Sequence, residues 1–516
     1  VLFAVFFFAA LVYYVKWLKQ EEKGGNRTGT YVMMVFLAVL SCFSKVQAVT
    51  LPLSMLVLDY WYRRPITFKL IWEKTPFWIL SMVFGLINLY TLRSQGSTDD
   101  ITEFNFLQRL CIGAYSFVVY LYKLVLPYPM SPLYPYPKPL PVEVYVAPVF
   151  FLAFWYFIWR LWKRGNEAAE NANNYRIWVF GALFCFFNVM FLLQVLGAGQ
   201  GLKADRFTYV PYFGFFAVAA WYFERYYRQE STRGAAQAIA GIFMLVFAVW
   251  TVRQIGVWKN GETLWTHVIK YEGKSNSLPY WNRGQYYRST GDYDKALTDY
   301  SQAVSINPDN SELYNSRGKT YFDMAMSGKY NNRQMELVQK AIQDYTNGLS
   351  IATIKPKSKA EILINRGAAN GFLRNFQQSI QDLTEGLKIN PENENGYFNR
   401  SIAYYSMGQL DNALSDYTEY LKYNPNSAEV WYESGMILRS KNQNQEAINR
   451  LTRAIQLKPD LGIAYLERAR AQMQSGNRAA AQQDYQRAQQ MGVQLGQFDN
   501  NLLNGGSIPP ANGAPQ

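Results

Sequence analysis

The sequence predicts an all-α protein with two parts, a polytopic helical membrane domain followed by an α-solenoid of helical repeats. Two observations lead to this fold class. Nearly all long apolar runs lie within residues 1–258, whereas the chain from Lys259 onward is polar, has helical periodicity and is rich in Asn, Gln and Tyr. In that polar half, prolines recur at a constant spacing of 34 residues, at Pro391, Pro425 and Pro459.

The first half contains apolar segments that are candidates for membrane spans. Several are shorter than the ~20 residues that cross a bilayer core of ~30 Å. A further segment, 106–126, is apolar and aromatic but also contains Arg109 and Lys123. The predicted spans are 1–19, 31–45, 48–61, 76–91, 145–162, 176–196, 207–225 and 236–256.

The loop charges predict the orientation of these spans. The positive-inside rule places the basic loops in the cytoplasm, and these are "KWLKQEEKGGNR", "WYRRPITFKLIWEK", "WRLWKRGNEAAENANNYR" and "ERYYRQESTR". The acidic loop "QGSTDDITEFN" and the segment "GAGQGLKADRF" then lie outside. This parity holds if residues 92–144 form one outer loop, in which 106–126 lies along the interface or re-enters the membrane. The linker 259–276 and the repeats follow on the same outer side.

Composition argues against several function classes. The net charge of +13 comes largely from the loops between apolar runs and not from a basic nucleic-acid-binding face. Cys42, Cys111 and Cys185 all lie in apolar segments, so we expect no disulfide framework and no metal site. A single histidine, His267, argues against a Ser-His-Asp triad and against a His-rich zinc site.

The 34-residue spacing is that of the tetratricopeptide repeat, which has two helices per unit. We expect six repeats, the second with an insertion: 277–310, 311–356, 360–393, 394–427, 428–461 and 462–495. Small residues recur where the two helices must approach closely. They are Gly284, Gly318, Gly367 and Gly435 in the first helices, and Ala296, Ala341, Ala413, Ala447 and Ala481 in the second helices.

An Arg precedes the small position of the first helix in five repeats, and the same five repeats carry an Asp at a fixed position of the second helix. The fifth repeat lacks both and has Ser434 and Arg450 instead. Because the two residues occur together, we predict a structural bidentate bridge within each of the five repeats. The pairs are Arg283–Asp299, Arg317–Asp344, Arg366–Asp382, Arg400–Asp416 and Arg468–Asp484.

A stack of such repeats presents a concave groove suited to a partner protein. The final residues, 496–516, have the composition of a disordered tail.

The stretch "GLKADRFTYVP" places Lys203, Asp205 and Arg206 between two apolar runs. One interpretation is a solvated loop that reverses the chain. The other is a site for an anionic headgroup at the outer interface, where Lys and Arg grip a phosphate and Asp orients the Arg. Lys45, at the tip of the hairpin "LSCFSKVQAVTLP", lies on the same predicted side and supports the second interpretation. We interpret Asn188 and Gln194 as interhelical hydrogen-bonding residues.

The segments "SKVQAVTLPLSMLVLDYWYRRP", "PYPMSPLYPYP" and "ADRFTYVPYFGFF", followed by the repeats, resemble the bacterial relatives of the transmembrane and tetratricopeptide-repeat O-mannosyltransferases, which have the C-type glycosyltransferase fold. The resemblance implies a multi-pass enzyme of the bacterial inner membrane, with the repeats on the periplasmic side. Such an enzyme transfers a sugar from a polyprenyl phosphate to an acceptor protein that the repeats hold. The donor-phosphate contacts implied here are Lys45, Asp205, Arg206 and Tyr209, with Lys203 a weaker candidate.

The catalytic acid of that family lies in an outer loop that has no match in this sequence. We expect it upstream of Val1, in a longer protein, and name no catalytic residue. Asp59 falls at the cytoplasmic end of its span and is interpreted as a helix-end residue. No cofactor is identified; a divalent cation could share the phosphate but has no evident ligand set. Two alternatives remain: a membrane-anchored tetratricopeptide scaffold without catalysis, and a lipid-linked polysaccharide polymerase or ligase.

Overall fold

The computed structural model describes residues 2–22, 24–94, 104–127, 130–131, 134, 136, 139–166, 171–193, 195, 201–272, 276–496 and 499. The chain divides into two compact units, Val1–Arg283 and Gly284–Gln516, and each is described by itself. Within the described residues the secondary structure is helical, apart from an isolated antiparallel bridge between Tyr134 and Lys203. The all-α fold class is confirmed.

The first unit contains helices at every predicted span. They are α1 (Leu2–Glu22), α2 (Thr28–Ser44), α3 (Leu51–Trp61), α4 (Phe68–Trp72), α5 (Thr75–Ser94), α6 (Phe106–Val125), α7 (Val142–Gly165), α8 (Ala172–Val189), α9 (Phe213–Tyr227), α10 (Glu230–Val257) and α11 (Gly261–Glu272). Short 3₁₀ helices cover Val46–Thr50, Met190–Leu192 and Asp205–Phe207. The core of the unit combines aliphatic and aromatic side chains and packs α1, α2 and α3 against α8 and α9.

Among the described residues of this unit, four helices are long and apolar enough to cross a membrane: Leu2–Glu22, Val142–Gly165, Ala172–Leu192 and Glu230–Val257. The last of these, α10, exposes apolar side chains around its whole circumference. Ile239, Met244 and Leu245 are 68%, 66% and 67% exposed and point in three different directions at 100° per residue. A helix that is apolar all round is typical of a lipid-facing span.

Two predicted segments differ from the observed helices. The span predicted at 207–225 begins only at Phe213, because the chain turns from Thr208 to Tyr212 and includes Pro211. The predicted linker 259–276 contains the helix α11. The predicted tail 496–516 lies largely outside the described residues, although Asp499 is buried and bonds to Arg470.

The helix α6, which covers the segment predicted to lie along the interface or to re-enter the membrane, is amphipathic. Leu107, Leu110 and Val125 are exposed on one side, whereas Ser116 and Tyr120 are buried on the other. The buried polar groups hold the chain around residue 203, since the Ser116 hydroxyl donates to the Leu202 carbonyl at 3.2 Å. The buried face of α6 therefore contacts the charged stretch and holds its backbone in place.

The second unit consists of helix hairpins. Its helices are α12 (Ser277–Ser289, in which the division between units falls), α13 (Tyr293–Ile306), α14 (Ser311–Met326), α15 (Gln334–Leu349), α16 (Pro356–Phe372), α17 (Phe376–Ile389), α18 (Glu394–Ser406), α19 (Leu410–Tyr423), α20 (Ala428–Ser440), α21 (Asn444–Leu457), α22 (Gly462–Gln474) and α23 (Arg478–Gln490). The predicted insertion in the second repeat lies between α14 and α15 and includes the 3₁₀ turn Asn331–Arg333.

The small residues at fixed positions are required by close helix packing. A Cβ on Gly318 would lie 2.7 Å from the Tyr345 ring, and one on Gly435 would lie 2.7 Å from Leu451 Cγ. Both neighbours belong to the second helix of the same repeat, so a larger side chain would force the hairpin apart. The alanines at the facing positions, such as Ala413 and Ala447, are fully buried.

The structure brings four of the five predicted Arg–Asp pairs together as bidentate bridges. In the pair Arg400–Asp416, the guanidinium Nε and Nη2 donate to the two carboxylate oxygens at 2.7 and 2.8 Å. The same two bonds form in the pairs Arg317–Asp344, Arg366–Asp382 and Arg468–Asp484. The pair Arg283–Asp299 straddles the division between the units and stays a prediction.

Each of these arginines also reaches the preceding repeat. The Nη1 of Arg400, which takes no part in the bridge, donates to the Thr384 hydroxyl at 3.1 Å, and the Nη1 of Arg468 donates to the Thr452 hydroxyl at 3.1 Å. Arg317 and Arg366 donate in the same way to Ser301 and Thr346. Each hydroxyl stands two residues after the Asp position of its second helix. The bridges therefore continue from repeat to repeat as a ladder.

The fifth repeat keeps the hydroxyl contact with a reversed arrangement. Arg450 stands on the second helix, where the other repeats have Asp, and its Nη2 donates to Thr418 of the preceding repeat at 3.2 Å. Ser434 replaces the first-helix Arg, and its hydroxyl donates to its own helix at the Trp431 carbonyl. One cation thus replaces the pair without leaving a stranded carboxylate.

We expect Arg400→Ala to lower the free energy of local opening of α18 and α19 by about 2–3 kcal/mol, because it leaves the Asp416 carboxylate buried without its partner. Asp416→Ala should cost a similar amount, and the double variant should cost about 1–2 kcal/mol less than the sum. Hydrogen–deuterium exchange of the full chain measures these changes. Lys422→Ala, which breaks an exposed pair on α19, is the control and should leave exchange unchanged. Strictly additive losses at Arg400 and Asp416 would contradict a coupled bridge.

Candidate anion site and protein-binding surface

Lys45 occupies the junction at which the second apolar helix stops. The helix α2 ends at Ser44, Lys45 is extended with φ of −166°, and the 3₁₀ turn begins at Val46. The ammonium lies over three aromatic rings, 5.3 Å from the centre of Phe3, 5.7 Å from Phe207 and 5.8 Å from Tyr209. Such cation–π contacts hold a positive charge in place without neutralising it.

Arg206 also lies near the Phe207 ring. Its guanidinium carbon is 5.5 Å from the ring centre, and the side chain is exposed. Gln47 connects the two chain segments, since its Nε2 donates to the Phe207 carbonyl at 3.2 Å. The structure thus brings together two cations that are 161 residues apart in sequence.

Neither cation is neutralised by a carboxylate within the part of the chain that the structure describes. Lys45 is half-buried and lies close enough to Arg206 for the two charges to interact. Two cations that repel each other and have no acid between them form an arrangement that an anion would stabilise. Tyr209, which is 41% exposed, borders this pair and packs edge-on against Phe3.

Asp205 does not belong to this surface, which corrects the predicted cluster. Its carboxylate is buried and faces inward, where Oδ2 accepts from the Tyr134 hydroxyl at 2.6 Å, the Ser131 amide at 2.7 Å and the Lys123 ammonium at 3.0 Å. A buried carboxylate needs such partners, and Lys123 supplies the countercharge. Asp205 therefore fastens the Pro-rich segment to α6 instead of orienting Arg206.

Lys203 is also buried, at 5% exposure, so it cannot meet a headgroup at the surface. Its ammonium lies over the rings of Tyr115 and Tyr134 at 4.8 and 4.6 Å. Of the three charged residues in the stretch, Lys203 and Asp205 are therefore buried, whereas Arg206 is exposed. In the sequence, Lys123 stands out only as a charged residue in an apolar segment. That charge is the signal from which a buried acid elsewhere in the chain, here Asp205, could be expected.

Asn188 forms the interhelical hydrogen bonds that were predicted for it. It accepts from the Thr50 hydroxyl at 2.6 Å and contacts the Ser54 hydroxyl at 2.8 Å through Nδ2, which ties α8 to α3. Gln194 lies outside the described residues. Asp59 is buried near the end of α3 and pairs with Arg64 and Lys74 at 3.0 and 2.7 Å, as suits a structural helix-end residue.

The second unit has a surface of a different kind, formed by the first helices of its repeats. These helices pack on one another in sequence and leave one face exposed. Side chains on that face recur in the 34-residue register, and we call them the first-helix stripe. The exposed members are Glu361, Asn395, Glu429 and Ile463 near the helix starts, and Phe372, Ser406, Ser440 and Gln474 near the ends.

The middle of this stripe is apolar. Ile402 and the adjoining Tyr405 are each 40% exposed, and Phe372 of the preceding repeat is 39% exposed. Exposed apolar side chains clustered on one face are typical of an interaction surface. They lie away from the second helices, so they do not contribute to the hairpin cores.

Glu433 lies next along the stripe and makes no ion pair among the described residues. It is half-buried, and burial alone raises the pKa of its carboxyl. Equivalent positions carry the neutral Asn365 and Asn399 in the third and fourth repeats, and Glu467, which pairs with Arg439 and Arg470, in the sixth. An unpaired carboxylate that costs stability is typical of a binding position.

Within the described ranges no group of three or more His, Cys, Asp or Glu side chains could hold a metal ion. The three cysteines are free, with Cys42 and Cys185 buried and Cys111 partly buried.

Comparisons with known proteins place repeats of one kind in the second unit. Residues 284–324 match the family model described as TPR repeat, and residues 398–462 match the model described as tetratricopeptide repeat. Tetratricopeptide repeat protein 6 of Homo sapiens is 27% identical over 123 residues, which are 24% of this chain and 21% of that protein. The chain thus spans about a fifth of the length of this curated relative.

Two solved structures are similar to part of this chain. YrrB, described as a TPR protein with an unusual peptide-binding site, is 20% identical, with a TM-score of 0.32 over 39% of this chain and 95% of that chain. PilF of Pseudomonas aeruginosa is 16% identical, with a TM-score of 0.35 over 44% and 96%. With the helix hairpins and the matched residues together, this chain carries tetratricopeptide repeats.

Proposed function

We propose that the protein is a membrane-anchored tetratricopeptide scaffold whose repeats bind an extended segment of a partner protein. The first-helix stripe carries this proposal. It presents side chains at matching positions of consecutive repeats, so that one extended chain could contact each repeat in turn.

The chemistry of the stripe suggests the chemistry of the partner. Phe372, Ile402 and Tyr405 offer apolar contact, and the uncompensated Glu433 lies in the adjoining repeat. Glu429 is already paired, to Lys458 at 3.1 Å. We infer a partner segment with an apolar side chain followed by a Lys or Arg, the cation facing Glu433.

Membrane anchoring is supported by the apolar helices of the first unit. In water, the exposed surface of α10 would form an apolar patch far larger than soluble proteins tolerate. In a bilayer the same surface is solvated by lipid, and its 28 residues are enough to span. The loop charges predict that the repeats lie on the outer side, and the resemblance to the O-mannosyltransferases implies the inner bacterial membrane.

A second candidate function is sugar transfer from a polyprenyl phosphate, which the resemblance to the O-mannosyltransferases implies. The observation that favours it is the convergence of Lys45 and Arg206 on Phe207 without a carboxylate partner among the described residues. These cations could bind the lipid phosphate and stabilise its charge as the sugar departs. Tyr209 borders the pair, whereas Asp205 and Lys203 would act only by holding the loop in shape.

We expect Tyr405→Ala to weaken binding of a partner peptide about tenfold, because an aromatic anchor in an interface is worth more than 1 kcal/mol. Peptides selected from a random library on the full chain in nanodiscs, and measured by fluorescence anisotropy, provide the readout. Tyr423→Ala is the matched control, since Tyr423 is 47% exposed on a second helix, off the stripe. Equal losses in the two variants, or none in either, would contradict a groove on the first helices.

We expect Glu433→Gln to raise the melting temperature at pH 7 by about 1–2 °C. The carboxyl has a raised pKa in the folded chain, so folding favours its protonated form. Its contribution is favourable at low pH and is lost as pH rises through the folded pKa, which makes the charged form a cost at neutral pH. Circular dichroism melts should therefore show a gain at pH 7 that vanishes near pH 4. A gain of equal size at both pH values would indicate another cause.

We expect Arg206→Ala and Lys45→Ala each to weaken binding of farnesyl phosphate at least fivefold, because each removes one of two converging cations. Thermal shift of the detergent-solubilised full chain measures this, with farnesol as the neutral comparison ligand. The control is Arg225→Ala, which removes an exposed charge near the end of α9. Unchanged affinity in Arg206→Ala would exclude the pair as a phosphate site.

A further inference from the structure

The first unit contains a cavity of about 570 Å³ that is separate from the Lys45–Arg206 pair. Its walls come from the end of α3 and the chain leading to α4, and from the facing ends of α7 and α8. Three arginines line it, Arg63 and Arg64 from the first wall and Arg176 from the second. We call this cavity the basic cleft.

Arg64 is held by three acids, of which Asp59 also lines the cleft. It pairs with Asp59 at 3.0 Å, with Glu21 at 3.4 Å and closely with Glu73. The buried Lys74 pairs with the same Asp59 and Glu73, at 2.7 and 3.2 Å. The acids of this cluster are therefore already shared between two cations.

Arg63 and Arg176 have only neutral partners within the described part of the chain. Arg63 Nη2 donates to the Asn173 side-chain oxygen at 3.2 Å. Arg176 Nη1 donates to the Asn166 oxygen at 3.4 Å, and Nη2 donates to the Tyr60 carbonyl. Arg176 is only 4% exposed, and its buried Nε has no hydrogen-bond partner. A buried guanidinium without an anion is costly, so a bound anion would complete the site.

The backbone of Arg63 is itself unusual. Its φ is +56°, in the left-handed region, directly after α3. This position after a helix favours glycine, because other side chains are strained there. Strained residues of this kind cluster at functional sites, and here the strained residue carries one of the two unneutralised charges.

The rim of the cleft is apolar next to these charges. Ile66 is 90% exposed, and Ile71 and Trp162 are 45% and 42% exposed. Arginines beside exposed Ile and Trp suit an amphiphile, whose phosphate enters the cleft while its chains lie on the rim. Basic pockets between helices on the positively charged side of a membrane protein bind anionic headgroups in this way.

We propose that the basic cleft binds a phosphate ester anion carried by a lipid, namely the headgroup of an anionic phospholipid. Arg63 and Arg176 grip the phosphate, and Asn166 positions Arg176. The rim residues Ile66 and Trp162 contact the acyl chains. This site is on the side of the basic loops, opposite to the side predicted for Lys45 and Arg206, and it is independent of the proposed functions of that pair and of the repeats.

The test is native mass spectrometry of the full chain released from detergent, with phosphatidylglycerol or phosphatidylcholine added. Wild type should retain phosphatidylglycerol about tenfold more than phosphatidylcholine. Arg63→Gly should reduce this preference at least fivefold while keeping the melting temperature, because glycine accepts the positive φ. The control Arg160→Gln removes an exposed charge from α7 outside the cleft and should change nothing.

Equal retention of the two lipids, or full preference in Arg63→Gly, would overturn the proposal. Glycerol 1-phosphate distinguishes the source of the phosphate. Weak binding of this soluble ester supports a lipid ligand, whereas binding as tight as that of phosphatidylglycerol would overturn the lipid assignment in favour of a soluble phosphate.

Discussion

The neutralisation of buried carboxylates is the constraint on which the first unit depends. Asp59 and Asp205 are both nearly inaccessible, and each lies among cations and hydroxyls brought from distant parts of the chain. Leaving either acid without its cation would be strongly destabilising, because a charge would remain buried and unpaired. Asp205 thereby fixes the Pro-rich segment and α6 to the loop at residue 203, and Asp59 fixes α1 and the α4 region to α3. The positions of the surrounding basic residues follow from these two acids.

The same constraint separates structural cations from those available to a ligand. Lys123, Lys74 and Arg64 are held by acids, so they contribute shape. Lys45 and Arg206 at one site, and Arg63 and Arg176 at the other, have aromatic or neutral partners among the described residues. A charge in a low-dielectric setting that no group of the folded chain neutralises is costly, and a bound anion would offset that cost.

The repeats show how far such pairing can be predicted from sequence. Arg and Asp occur together in the same repeats at a fixed spacing. This co-occurrence predicted which residues form bridges, because the repeat period fixes the geometry between them. A hydroxyl residue two positions after the Asp position recurs with the same period, and it links consecutive repeats, a contact that was not predicted. In the first unit no period exists. Asp205 finds Lys123 across 82 residues, and only the packing of α6 under the loop determines that contact. The predicted helices were therefore mostly right there, whereas the partners of Asp205 and the basic cleft could not be read from the chain.

The fifth repeat suggests why a regular array would keep an irregular member. It has lost the bridging pair and replaced it with Arg450, which reaches back to Thr418 and leaves Nη1 buried without a hydrogen bond. The same repeat carries Glu433, whose charge is uncompensated within the described chain, one residue before the missing Arg. In the bridged third and fourth repeats the corresponding positions are filled by the neutral Asn365 and Asn399, and in the bridged sixth repeat by Glu467, which pairs with Arg439 and Arg470. The repeat in which the ladder is interrupted is thus also the one whose carboxylate at this position has no ion-pair partner among the described residues. Regular repeats give the solenoid its shape, and the departure from regularity gives one segment of the groove a chemistry of its own, which is what recognition of a particular partner requires.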